Sequence, residues 1–169
     1  MANIKLRYPV TEKYLIARRS SLVTPAKRFE KFIKGDEVYG VVIDMPVAPR
    51  IAATLVAYIN GAANIHFNHG EEYVGAATRY LSVVKAASLL VMQAEKIRDN
   101  TELVKSFDMP SGTDYNVYLL TKEGIRKLVY RPAEIKPDDE NMKLFHFASQ
   151  NLMKELHEAQ LKDRAAKEK

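Results

Sequence analysis

The chain has 169 residues, enough for one domain that removes roughly 70% of its extended-chain surface from water on folding. Seven glycines, seven prolines and 28% charged residues exclude collagen-like and wholly disordered chains, and the lack of cysteine excludes disulfides, thiol nucleophiles and thiolate metal sites. The formal charge of +5 is local: residues 1–35 carry nine basic and two acidic side chains, while the remainder is net negative.

Residues 1–23 read as a basic arm. Ile4, Leu6 and Tyr8 alternate as in a short strand, and Tyr14 to Val23 follow neither the helical nor the strand period. Thr24 before Pro25 is a helix start, predicting a short helix to about Ile33 that buries Phe29, Phe32 and Ile33 and stops at Gly35. The β-branched run Val38 to Ile43 predicts a central strand, ended by Pro46 and Pro49.

Asn60-Gly61 within Thr54 to Asn68 predicts a two-residue type I′ hairpin. That register pairs Tyr58 with Ala63, Val56 with Ile65 and Thr54 with Phe67 on one side. Leu55, Ala57, Ile59, Ala62, Asn64 and His66 then fall on the other, a mixed face that must meet a helix or a partner. Beyond Gly70, Ala76, Tyr80, Val83, Ala87, Leu90, Ala94 and Ile97 recur at threes and fours, the stripe of a long helix whose acidic first turn would include Glu71 and Glu72. The apolar stretch 73–97 is broken by Arg79, Lys85, Gln93, Glu95 and Lys96 and does not read as a membrane span.

Tyr115–Leu120 and Ile125–Arg131 form a second hairpin with an open register. Asp138 caps a last helix in which Met142, Phe145, Ser149, Leu152, Leu156 and Ala159 form a stripe, and a polar tail frays from Gln160. The expected fold is an α+β, two-layer domain over residues 24–159. Its mainly antiparallel five-stranded sheet follows the order three strands, helix, two strands, helix, with helices on one face, or on both if the short amino-terminal helix crosses over.

Motifs for chemistry are sparse. The glycines make no phosphate cradle, and Ser20, Ser21 and Ser111 lack a nucleophile elbow, so no cofactor, metal or catalytic residue is assigned. Asp44, at the end of an apolar strand, is a turn acceptor, a ligand group or an acid-base candidate. With His66 and His69 it outlines one small-ligand or metal-binding possibility, a site that could make the chain an enzyme. Leu55, Ala57 and Ile59 outline an interaction surface. Arg18, Arg19, Lys27 and Arg28 belong to a basic patch open to nucleic acid or an anionic membrane.

Tyr39-Gly40-Val41-Val42-Ile43-Asp44-Met45-Pro46, with Ala53 to Ala57 and Gly61 to Ile65, resembles a family of small bacterial proteins of unknown function over residues 38–98, although His69-Gly70-Glu71-Glu72 departs from its glycine-rich turn. The element order is similar, more coarsely, to profilin-like and roadblock-like domains, and that resemblance implies a role in protein assembly. The sequence therefore favours a cytoplasmic, non-catalytic interaction or scaffold domain that self-associates or binds another protein, with the ligand site as the alternative.

Overall fold

A computed structural model describes residues 8–168. The proposed strand at Ile4 to Tyr8, and Lys5 and Arg7 of the basic arm, lie wholly or mostly outside the described residues. Seven strands form one antiparallel sheet: β1 Gly40–Ala48, β2 Ile51–Tyr58, β3 Ala63–Phe67, β4 Glu72–Tyr73, β5 Glu102–Val104, β6 Tyr115–Leu120 and β7 Ile125–Tyr130. Their spatial order is β4-β3-β2-β1-β6-β7-β5, so β1 is central as its apolar run implied. The sheet exceeds the expected five strands because β4 and β5 are edge strands of two and three residues, too short to show a period.

Helices α2 Leu81–Lys96 and α3 Glu140–Lys167 cover one face, while α1 Glu12–Leu22 and a single 3₁₀ turn, Ala26–Phe29, cover the other. The first face buries Val41, Ile43, Leu55, Ala57 and Leu119 against Val83, Ala87, Leu90, Phe145 and Leu152. The second buries Val42, Val56, Tyr58, Tyr118 and Leu120 under Leu22, Phe29 and Ile33. With both faces covered, the central strand carries the run Val41-Val42-Ile43 without alternation, as burial on both sides requires.

The β2–β3 hairpin differs from expectation by one residue. Its loop is Ile59-Asn60-Gly61: the Gly61 amide donates to the Tyr58 carbonyl, and the Tyr58 amide to the Ala62 carbonyl, each at 2.9 Å. Asn60 Oδ1 accepts from the Ala62 amide at 3.0 Å, and Gly61 takes φ 89°, a left-handed conformation suited to glycine. Leu55 therefore pairs with Ile65 and Thr54 with His66, so that Ala63, Ile65 and Phe67 join Leu55 and Ala57 on one face, and Asn64 and His66 join Thr54 and Val56 on the other, opposite to the expected placement of β3. Leu55 and Ala57 are fully buried in the core beneath α2, and Ile59 is half-buried, so the expected interaction surface is covered within the chain at two of its three positions.

Other expectations change for local reasons. The arm contains α1, which was hidden because its buried face is Tyr14, Arg18, Ser21 and Leu22 and lacks an apolar stripe. Thr24 donates back to the Ser20 carbonyl at 2.9 Å instead of capping a new helix. The following helical turn is brief, and Phe29 and Ile33 enter the core while Phe32 stays more than half exposed. β1 runs through Pro46 because Ala52, its partner, directs both backbone groups at Asn68, so the missing Pro46 donor faces the side where pairing with β6 has already stopped, at Asp44 and Asn116.

Glu72 belongs to β4 and not to a helical first turn, and α2 begins later, at Leu81. Asp139, not Asp138, caps α3, its side chain accepting from the Met142 amide at 3.2 Å. All six predicted stripe residues of α3 are buried, but the expected frayed tail is helical to Lys167. Asp163 there accepts from Tyr73 at 2.6 Å, Tyr80 at 2.5 Å and Arg79 at 2.6 Å, joining α3 to β4 and the start of α2.

Candidate functional site

A polar row crosses the second face of the sheet. Strand register places Asn116 of β6 beside Asp44 of β1, Asp44 beside Thr54 of β2, Thr54 beside His66 of β3, and His66 beside Glu72 of β4. Helix α1 lies over this row. Tyr14 and Arg18, four residues apart, share the helix face that looks down on it.

Three local devices hold α1 in place. Thr11 Oγ1 accepts from the Tyr14 amide at 3.2 Å as the helix cap, and the Thr11 amide donates to the Asn68 carbonyl at 3.0 Å. The Asn68 side-chain amide donates to the Pro9 and Arg50 carbonyls at 2.7 and 2.8 Å. At the other end, the Tyr58 hydroxyl donates to the Ser21 carbonyl at 3.0 Å.

Arg18 grips Asp44 with two nitrogens: Nε lies 3.1 Å from Oδ1 and Nη2 2.7 Å from Oδ2. Thr54 Oγ1 donates to Asp44 Oδ1 at 2.7 Å, and the Tyr14 hydroxyl stands 2.6 Å from Thr54 Oγ1. Asp44 has no exposed surface, and Arg18 is buried with it. Burial alone would lower the Arg18 pKa, but the Asp44 carboxylate more than offsets it and holds the guanidinium above its ordinary value. Burial, reinforced by the Asp44 charge, pushes the Tyr118 phenol up to about 12 and moves Tyr14 in the same direction, so both remain neutral donors near pH 7.

The Asp108 carbonyl closes the Asn116 end of the row. It accepts from Tyr118 at 2.8 Å and from Asn116 Nδ2 at 2.9 Å. Two cations stand over the Tyr118 ring, Arg18 at 5.7 Å and Lys127 at 5.6 Å from its centroid. At the β4 end, His66 Nδ1 is 2.9 Å from one Glu72 oxygen and Lys13 Nζ is 3.4 Å from the other. Burial would raise the Glu72 pKa, but His66 and Lys13 together hold it below the usual carboxylate range.

Asp44 and His66 thus share a row, separated by Thr54, but His69 does not join them. It sits on the turn beyond β3, stacked on Phe67 at a centroid distance of 5.7 Å, with Nε2 3.6 Å from Glu71. Open clefts flank the two ends of the row. One of about 530 Å³ is lined by Asp108, Met109, Asn116 and Lys127, and one of about 600 Å³ by Lys13, His69, Glu72 and Arg164; neither is lined by Asp44 or His66.

A general base must touch its substrate, and both Asp44 oxygens are occupied out of reach of solvent. Chemically, the centre of the row is a pin between α1 and the sheet. Arg18, expected in a basic patch, belongs to this pin, whereas Arg19, Lys27 and Arg28 are exposed. Tyr14, Arg18, Thr54 and Asn116 were not singled out as partners of Asp44. The signal available was the four-residue spacing of Tyr14 and Arg18; the alignment of Thr54 with His66 depended on the three-residue loop that the structure shows.

Among the described residues, no group of three or more His, Cys, Asp or Glu side chains is arranged to hold a metal ion, and no helix is long and apolar enough to cross a membrane. In comparisons with known proteins, the chain matches no family model, no curated protein and no solved structure.

Proposed function

We propose that the chain is a non-catalytic interaction domain that pairs with a second copy of itself through α2. The observation that carries this reading is a knob and a groove on one helix. Near the end of α2, an apolar groove of about 480 Å³ lies between Ser88, Val91 and Met92 on one side and Val38 and Ile59 on the other, with Glu37, Glu95 and Lys96 on its rim. Leu81, at the start of the same helix, is 66% exposed.

Eleven residues separate Leu81 from Met92, about 16 Å along the helix axis. Two α2 helices crossing antiparallel about a two-fold axis near Ser88 would lay each Leu81 into the groove of the other copy. The small Ser88 side chain at the crossing permits close approach, and the two contacts repeat by symmetry as an isologous interface requires. Half-buried Ile59, which lines this groove, would join the α2 residues in the contact, whereas Leu55 and Ala57 are buried beneath α2.

The chain contains no cysteine, which makes a direct test available. Ser88→Cys should yield a disulfide-linked dimer under mild oxidation, because the two-fold brings the thiols together. Ser20→Cys, on exposed α1, should not. Sedimentation equilibrium should show a concentration-dependent dimer that Leu81→Arg and Met92→Arg convert to monomer. A wild-type chain that is monomeric at every concentration, or crosslinking no greater at position 88 than at position 20, would overturn the proposal.

A further inference from the structure

Residues 12–34 are a cover with two unlike sides. Tyr14, Arg18, Leu22, Phe29 and Ile33 are buried against the sheet, as are Ser21 and Thr24, and most of the positions between them are exposed. On the outer side, Ile16, Val23 and Phe32 each leave half or more of their side chains to solvent. Around them stand Arg19, Lys27, Arg28, Lys31 and Lys34, all exposed, and none forms a salt bridge with another described residue. Glu12 and Glu30 are the only acidic residues in this segment.

We propose that this outer side of α1 and residues 26–34 docks onto an anionic lipid bilayer. Three observations select that occupant. The surface carries one dominant sign of charge, which attracts an anionic leaflet, whereas residues 36–169 are net negative as a whole. The three apolar side chains standing among the cations have no role toward a phosphate backbone, but they gain by entering the headgroup and acyl boundary. None of these eight residues lines the clefts described above, as expected of a surface that meets a broad, flat partner. The surface lies on the opposite face of the sheet from α2, leaving the proposed pairing helix free when the bilayer is engaged.

The test uses the full chain with vesicles of phosphatidylcholine alone or mixed with phosphatidylglycerol, at low and at high salt. The chain should sediment with the anionic vesicles only, and high salt should release it. Lys27→Glu with Lys31→Glu should lower partitioning more than about twenty-five-fold, from about fivefold for each lysine lost and a further loss from the reversed sign. Because the chain lacks tryptophan, Phe32→Trp supplies a single reporter whose emission should shift to the blue on vesicle binding. All three positions are exposed, so thermal melting of these variants should match the parent chain.

Failure to sediment with anionic vesicles at low salt would overturn the proposal. So would binding that leaves the Trp emission unchanged, since the apolar residues would then have no part in it. Tighter retention by duplex DNA than by anionic vesicles would assign the surface to nucleic acid instead. Each outcome is independent of the α2 pairing, which position-88 crosslinking reads separately.

Discussion

The two faces of the sheet are closed by different chemistry. Against α2 and α3, closure is apolar and continuous, from Val41 and Leu55 through Leu90 to Phe145 and Leu152. Against α1, an apolar patch shares the face with an ion pair, two hydroxyls and an amide arranged across successive strands. Apolar closure tolerates adjustment of its parts, whereas a buried charge is sensitive to the loss of a single partner. The second face is therefore where one atom's change should be felt most.

The largest expected effect comes from breaking the pin on one side only. Asp44→Ala leaves Arg18 buried without its counter-charge and should destabilise the fold by about 3–5 kcal/mol in denaturant melts. Replacing both partners, with Arg18→Met and Asp44→Leu, should recover most of that loss; a double variant as unstable as Asp44→Ala would show that packing, and not the orphaned charge, sets the penalty. On the first face, Leu90→Ala should cost about 2–5 kcal/mol by leaving a cavity, and no second polar change should rescue it.

A smaller effect is expected at the rim of the pin. Tyr14→Phe removes the hydroxyl that meets Thr54 while keeping the ring, and should cost about 1 kcal/mol, read as a shift in the urea midpoint at constant slope. The smallest concerns pH. His146 packs beneath the first face with Nδ1 2.8 Å from the Tyr130 hydroxyl, and burial lowers its pKa below the ordinary 6.5. The unfolded chain then binds the proton more readily than the folded one, so this contribution is fully present above the ordinary pKa and declines as pH falls toward the folded value. His146→Asn should flatten that part of the stability profile, and an unchanged slope would remove His146 as its source.

How much of this was legible in the sequence follows from the same contrast. The stripes of α2 and α3 were readable because helices packed on an apolar wall must repeat apolar residues at threes and fours, and Met142, Phe145, Leu152 and Leu156 do so. Helix α1 was not readable, because it docks through Tyr14 and Arg18, whose value depends on partners far along the chain. Asp44 was noticed, but its role depended on register: one extra loop residue before Gly61 decided that Thr54 would align with His66, and composition does not reveal a one-residue slip. The C-terminal part of α3 was hidden for a similar reason, since Asp163 is held by Tyr73, Arg79 and Tyr80, distant in sequence.

The strand order also has a consequence for birth on the ribosome. β1 is flanked on one side by β2, which follows within a few residues, and on the other by β6, which begins at Tyr115. Until that later stretch emerges, the central strand of the sheet carries an open edge of unpaired amides and carbonyls, a template for adhesion between neighbouring nascent chains. Chains that stop before Tyr115 should therefore aggregate during synthesis, and release of β6 marks the point at which that hazard ends.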